Sequence, residues 1–427
     1  MLGCKHLKWL SSDLRNYIEK LLKLEMPRGR GELCYRKKPI NLDKKIVDNK
    51  YHIIFVTYYL TPAVAKKSLA LKSSGDFYTT LLGCCIREDL KALSWFDQAY
   101  EIKNYHELFD ILRNTLTWAV NVTIQPTILG IVALSANCES RIVIDINDSM
   151  IFTETESNNV KCRLEKAVLE KASAIIHKMP LKAVEEIKRS WDLDIPHYLV
   201  HSLPVKDFFS KNQTKGDFDK PYRLVYAGGI MPRHIATTRG HGNHVFDPLI
   251  CKTENLNLAL TIFVNQNSRK MFWHEHQEYF ELEKKYKHFF FKRGLPFWQL
   301  PSIIGNWHFG ILYDNVKNAS YRKEAFKYNM STKVFSYLEA GLPILVYDEF
   351  EYITDFVREY NLGVVYSLNN IKKIPELLEK ADYKKLKKNV EKFRENHNVT
   401  SIVPILLKAY ELPDLKLKIT TADAQDI

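Results

Sequence analysis

Among 427 residues there is no Cys-x-x-Cys pair, no signal-peptide cleavage pattern and no uncharged apolar run of membrane-spanning length. The seven cysteines, at 4, 34, 84, 85, 138, 162 and 251, are odd in number and scattered, which suits reduced thiols rather than a disulfide framework. Cys84-Cys85 closes the apolar run Leu81 to Ile86, so burial accounts for it better than redox chemistry. The longest uncharged apolar stretch, Thr127 to Cys138, is well short of the ~20 residues a spanning helix needs. A cytoplasmic protein is expected. The turn after the first strand-like segment reads Thr57-Tyr58-Tyr59-Leu60-Thr61-Pro62, without Gly-x-Gly-x-x-Gly, which argues against a dinucleotide-binding enzyme. His241-Gly242-Asn243-His244 and His274-Glu275-His276 lack the spacing and third ligand of a zinc site, and Asp192-Leu193-Asp194 is too short a match to Asp-x-Asp to carry a metal assignment. No metal is expected. Basic residues are dispersed and no nucleic-acid-binding module appears, so nucleic acid is not an expected partner.

What is present is material for two cores. A chain of this length exceeds one ordinary core, and 46% hydrophobic with 12% aromatic residues is ample for burial. The net charge of +12 favours anionic partners such as nucleotide diphosphates, lipid phosphates or a membrane surface. Residues 5–25 place Leu7, Leu10, Leu14, Tyr17, Ile18, Leu21 and Leu22 on one side and Lys5, Lys8, Arg15, Lys20 and Lys23 between them, an amphipathic basic helix. It either packs on the domain with its charges in water or attaches to the inner face of an anionic membrane.

From Lys50 onward, strand-like and helix-like segments alternate. Strands are predicted at 51–59, 78–85, 118–124, 141–146, 174–177 and 196–203, and helices at 62–72, 104–115, 126–136, 161–172 and 180–191. After a polar stretch at 206–221, strands at 222–227, 258–264, 288–291, 309–313, 344–347 and 363–366 alternate with helices at 275–286, 298–304 and 348–360. Strict alternation implies βαβ crossovers and parallel sheets covered on both faces, hence two α/β domains joined by a linker.

One stretch, Asn329 to Asp348, reads as cap, helix, stop and strand. Ser331 is a good N-cap, Val334, Phe335 and Leu338 share a helix face, Gly341 supplies a left-handed stop, and Pro343 forbids further helix before the apolar run Ile344 to Tyr347. The helix start at Ser331-Thr332-Lys333 offers backbone N–H groups, the positive end of the dipole and a full charge, which together suit a phosphate.

Polar cap, Lys, apolar pair, Tyr-Leu, small-Gly-x-Pro and strand resemble the C-terminal signature of GT-B glycosyltransferases, particularly the large retaining group acting on bacterial polysaccharides and glycoconjugates. "RIVIDINDSM" with "LEKAVLEKASAIIHKM", "YRLVYAGGI" and "FGILYDN" match further pieces of that pattern, in order, over most of residues 50–410. The resemblance implies two Rossmann-like parallel-sheet domains facing a central cleft: a basic helical extension at 1–49, an acceptor-side domain at 50–205, a linker at 206–221, a donor-side domain at 222–398, and a closing helix with its tail at 399–427. It implies transfer of a sugar from a nucleotide diphosphate donor to a glycan, glycoconjugate or lipid-linked acceptor. Retention is favoured, and no cofactor is needed beyond the donor itself.

Such transfer needs cations or N–H donors for the leaving diphosphate and often a base for the acceptor hydroxyl. Ser331, Thr332 and Lys333 form one candidate site. Gly228 and Gly229 permit close backbone approach after a strand, and Arg233 carries a charge for phosphate oxygens. Asn147 or Asp148, in the turn ending a strand, occupies the place of the family's His or carboxylate; of the two only Asp148 can act as a base. Capping of the next helix is the alternative role for Asp148. His241 and His244 fall in the long stretch 231–256, a candidate sugar-contacting loop. Ser336 stands where many family members carry the Glu that accepts both ribose hydroxyls, Tyr328 replaces an upstream Glu, and Glu339 lies a full turn too far along to substitute. These departures keep two other readings open: a nucleotide-sugar epimerase or hydrolase on the same fold, and a catalytically silent glycan-binding partner of a transferase.

Overall fold

The computed structural model describes residues 6–23, 42–85, 94–124, 127–136, 139–154, 159–210, 218–230, 232, 246–264, 275–314 and 322–412. The chain divides into two compact units, residues 1–202 with 399–427, and residues 203–398. The first unit contains α1 (Ser12–Lys23), β1 (Ile46–Val47), β2 (Lys50–Tyr59), α2 (Pro62–Ser74), β3 (Phe77–Cys85), β4 (Gln98–Glu101), α3 (Tyr105–Arg113), β5 (Ala119–Thr123), α4 (Ile128–Ala136), β6 (Arg141–Ile146), α5 (Met150–Thr153), α6 (Val160–Lys171), β7 (Ala174–His177), α7 (Leu181–Trp191) and β8 (His197–Leu199). Its sheet runs β4-β3-β2-β5-β6-β7-β8, with β1 paired to β2. Among the described residues only β1 is antiparallel. The order reverses between β2 and β5, which makes their C-terminal ends the switch point of this sheet.

The sequence pattern missed β4. This edge strand buries only Tyr100 of its four residues, too little to show as a pattern. The N-terminal helix is shorter than predicted, and its apolar stripe is used inside the unit: Leu7, Leu10, Leu14, Ile18 and Leu22 are all buried. Trp9 Nε1 donates to Ser135 Oγ at 3.2 Å and Arg163 pairs with Asp13. Of the two readings of α1, packing on the domain is observed, with Lys8, Lys20 and Lys23 exposed. No described helix is long and apolar enough to cross a membrane.

The second unit begins with a 3-10 turn (Lys206–Phe208) and continues through β9 (Tyr222–Gly228), α8 (Asp247–Ile250), β10 (Leu258–Val264), α9 (Gln277–Lys285), β11 (Phe289–Lys292), α10 (Leu300–Ile304), β12 (Phe309–Leu312), α11 (Lys323–Lys327), α12 (Thr332–Glu339), β13 (Ile344–Tyr347), α13 (Glu351–Glu359), β14 (Gly363–Tyr366), α14 (Ile374–Lys380) and α15 (Tyr383–Asn396). All strands are parallel in the order β11-β10-β9-β12-β13-β14, so its switch point lies between β9 and β12. Leu203–Ser210 is docked on this unit: the Val205 N–H donates to Glu339 Oε1 at 2.9 Å and the Ser210 N–H to Glu339 O at 3.0 Å.

The chain then returns to the first unit. The single closing helix predicted over 399–412 is instead a 3-10 turn (Val399–Ile402) followed by α16 (Val403–Ala409), because Pro404 in the first helical turn has no N–H to continue a preceding helix. Its end is tied to the sheet: Arg141 Nε donates to Ala409 O, Trp118 Nε1 to Tyr410 O, and the Tyr410 hydroxyl to Asn121 Oδ1, at 3.0 to 3.1 Å.

Candidate functional site

In the second unit the helix predicted around Ser331 forms as read. The Ser331 side chain accepts from the Lys333 N–H at 3.4 Å, Gly341 has φ of 71°, and β13 is buried throughout. Packing then decides where this helix start points. Strands β9 and β12 pair only at Phe309 with Leu224 and Gly310 with Val225, and beyond that they part. The phenol of Tyr337 enters the gap, accepting from the Ala227 N–H and donating to Ile311 O, both at 3.1 Å. Its ring lies so close to Gly310 that an added Cβ there would fall 2.2 Å from it. One aromatic side chain therefore satisfies two backbone groups that the opening ladder would orphan, and pins α12 to the switch point.

One helical turn earlier, Lys333 folds over the end of β9. A Cβ at Gly228 would lie 2.1 Å from Lys333 Cε, and Lys333 Nζ sits 5.3 Å from the Tyr226 ring centroid. The lysine stem lies against Gly228, so a side chain there would displace the end of Lys333, while among the described residues nothing lies within 4 Å of a Cβ added at Gly229. Tyr226 is buried, and its hydroxyl donates to Gly229 O at 3.2 Å, bracing the glycine turn. Burial, reinforced by Asp314, holds this phenol neutral well above the ordinary tyrosine range. Two regions a hundred residues apart, Gly228-Gly229 and Ser331-Thr332-Lys333, are thus brought together.

Ser336 is buried on α12, a turn beyond Lys333. Glu339 is a structural tie rather than a binding group, its carboxylate holding the Val205 N–H. At the far end of α12, Lys387 Nζ donates to Gly341 O at 2.6 Å, and burial lowers its pKa to about 8. Arg233 lies outside the described residues, as do His241 and His244.

In the first unit, Asp148 is half-buried in the turn after β6, with Lys178 Nζ, from the turn after β7, 3.5 Å away. Asp148 is not the N-cap residue of the following helix. Ser149 is the N-cap residue of α5, and Glu165, reaching from α6, supplies the carboxylate: it accepts from Ser149 Oγ and from the Met150 N–H at 3.0 and 3.1 Å. Burial raises Glu165 to about 7, against the lowering effect of those hydrogen bonds, and Asp148 adds to the rise. Two buried histidines flank the same strand ends. Burial lowers His177 to about 3, with His197 contributing; burial also lowers His201 to about 4, with the charge of Lys178 contributing. His177 Nδ1–H donates to Met179 O at 3.0 Å, leaving its Nε2 lone pair to His197 Nδ1 at 3.2 Å. Deeper in the sheet, Lys67 and Asp145 form a buried ion pair at 2.5 Å, with Asn121 at 3.4 Å from the same oxygen.

Sequence reasoning missed Tyr226, Tyr337, Lys178 and Glu165. Lys178 carried a usable signal, since it directly follows a predicted strand at the edge where ligands of open sheets gather. Tyr337 entered only as the Tyr of the Tyr-Leu motif, without a role, and Tyr226 carried no signal, because a buried phenol reads as core. Asp192 of Asp192-Leu193-Asp194 ends α7 in a left-handed conformation with φ of 53°, a structural role. Among the described residues no group of three or more His, Cys, Asp or Glu side chains could hold a metal.

Residues 260–401 match the family described as Glucosyltransferase 3-like, C-terminal domain. No curated protein sequence matches this chain. Among solved structures, Anabaena HepE in complex with UDP-glucose is similar at a TM-score of 0.60 and 9% identity, over 84% of this chain and 98% of that one. TarM is similar at 0.56 and 10%, over 85% and 100%. The UDP-forming α,α-trehalose-phosphate synthase from Burkholderia xenovorans, in complex with glucose-6-phosphate, is similar at 0.55 and 9%, over 84% and 100%. The chain has the GT-B fold of these glycosyltransferases, two parallel-sheet α/β domains in succession.

Proposed function

We propose that the chain is a glycosyltransferase that moves a hexose from a nucleotide diphosphate donor to a glycan, glycoconjugate or lipid-linked acceptor in polysaccharide biosynthesis, with retention and without a bound metal. The observation that carries the donor site is the packing of Lys333 across Gly228, at the start of α12 and over the switch point of the second sheet. A leaving diphosphate there meets the Ser331-Thr332-Lys333 helix start, the Gly228-Gly229 backbone and the Lys333 charge, with Arg233 as a second cation; these supply the charge stabilisation that sugar transfer demands. The match of residues 260–401 to a glucosyltransferase domain and the UDP-glucose complex of HepE support a UDP-hexose as donor. Ser336, buried on the same helix, stands where the resemblance puts the ribose-binding residue.

On the acceptor side, Asp148 takes the proton of the acceptor hydroxyl or orients it, with Lys178 fixing its carboxylate. The scattered cysteines support a cytoplasmic setting. Contact with the inner face of an anionic membrane would rest on Lys8, Lys20 and Lys23, since the apolar stripe of α1 is buried.

The test is a thermal-shift screen of nucleotides and nucleotide sugars on the whole chain, repeated with Lys333→Ala and Arg233→Ala. A shift with a uridine nucleotide, weakened about tenfold in apparent affinity by Lys333→Ala, is expected, which corresponds to about 1.4 kcal/mol. No shift with any nucleotide sinks the donor site, and a shift untouched by both substitutions moves it elsewhere.

A further inference from the structure

The turn Thr57-Tyr58-Tyr59-Leu60-Thr61-Pro62 took no part in the donor site, yet it closes β2 at the switch point of the first sheet. Register puts its end and the Asp148 turn on one edge. Val56 pairs with Val122, and Val122 with Ile144, so these three residues form one row across β2, β5 and β6. Tyr59 stands three residues beyond that row and Asp148 four. Two inter-strand steps separate β2 from β6, about 10 Å at the usual strand spacing. A single sugar ring with its substituents spans such a gap.

Tyr59 differs from the rest of its strand. Ile53 to Tyr58 are buried, whereas Tyr59 is 38% exposed. Its base is fixed from two sides: Thr57 Oγ1 donates to Tyr59 O at 2.7 Å, and the Tyr58 ring packs edge-on with centroids 4.6 Å apart. An aromatic face held on a strand end, with Thr61 and the Asp148–Lys178 pair on the same edge, offers one apolar plane beside hydrogen-bonding groups. A pyranose presents the complementary surface, a face of C–H groups rimmed by hydroxyls. An acyl chain requires continuous apolar surface instead, and among the described residues the next large exposed apolar side chain on this edge, Leu181 at the start of α7, lies beyond β6 and β7.

We infer that Tyr59 is the stacking platform of a carbohydrate subsite at the β2/β5 switch point, and that the acceptor presents a pyranose ring there with a hydroxyl directed at Asp148. This rests on the acceptor-side role given to Asp148 above, and it narrows the acceptor to a sugar.

Saturation-transfer NMR on the whole chain with methyl β-D-glucopyranoside, methyl β-D-galactopyranoside and methyl α-D-mannopyranoside tests it, with UDP thermal shift measured in parallel. At least one glycoside is expected to show transfer to its ring C–H protons. Tyr59→Ala is expected to weaken that binding at least tenfold, while Tyr59→Phe retains it within twofold, because the ring and not the hydroxyl does the stacking. UDP binding is expected to be the same in all three proteins. The inference is overturned if no glycoside binds the wild type, if Tyr59→Ala binds as well as wild type, or if Tyr59→Phe is as weak as Tyr59→Ala. Glycoside binding that depends on Tyr59 in a protein that ignores UDP keeps the subsite and removes the transferase reading.

Discussion

The two sheets of this protein face the same topological problem at their switch points, and solve it with different chemistry. Between β9 and β12 the parting strands are bridged by a neutral phenol, that of Tyr337, and the neighbouring phenol of Tyr226 braces the glycine turn. Burial pushes both hydroxyls upward, away from any physiological titration. Beside β5 and β6 the interior is ionic or titratable instead: Lys67 with Asp145, Glu165 under the Asp148 turn, and His177 and His201 at the strand ends. The proposed anion site stands on buried phenols that stay neutral, and the proposed proton-handling site stands among groups that titrate. The comparison makes the surroundings of the first switch point pH-sensitive and the phenols at the second insensitive.

The largest effect should come from breaking the buried ion pair. Asp145→Ala leaves Lys67 Nζ buried without its counter-charge, a change that costs about 3–5 kcal/mol. Urea unfolding followed by a probe in the first unit should show the loss, and a loss under 1 kcal/mol would show that this interior is wetter than the packing implies. Next is Glu165. Its folded pKa of about 7 lies above the ordinary 4.5, so the folded state binds the extra proton between those values. Its contribution is fully present below pH 4.5 and is lost as pH rises through 7, on the order of 3 kcal/mol across the window. His177 and His201, at about 3 and about 4, act oppositely: their contribution is present above 6.5 and lost as pH falls through those values. Subtracting the pH–stability curve of Glu165→Gln from that of wild type isolates the first term. A flat difference would remove the contrast between the two switch points. Smallest is Tyr337→Phe, which leaves the Ala227 N–H and Ile311 O without the phenol, for about 1–3 kcal/mol. The loss should be the same at pH 5 and pH 8, and a pH-dependent loss would mean that the second switch point also titrates.

Much of the second half was legible. The cap at Ser331, the stop at Gly341 and the buried strand Ile344–Tyr347 depend on local backbone preference and a period that neighbouring residues carry themselves. The same reasoning overran where tertiary contacts end an element early. The strand predicted at 196–203 is only His197–Leu199, because the chain beyond it no longer has a partner strand. It was blind to β4, whose pairing with β3 is worth more than its own pattern shows. In the candidate site, Gly228 and Lys333 were each visible as residue types with a use. That the lysine would lie across the glycine was not.

Local chemistry in the sequence determined that there would be two parallel α/β halves, that a helix would start at Ser331 with a lysine in its first turn, and that a carboxylate would follow β6. Those are properties of spacing, capping and short-range periodicity. Tertiary structure alone decided that Tyr337 would fill the gap between β9 and β12, that Lys333 would lie across Gly228, and that Glu165 rather than Asp148 would cap α5, leaving Asp148 turned toward Lys178. Each of these joins residues from separate elements, and the energy that selects them arises only when the partner groups lose water together in a packed interior.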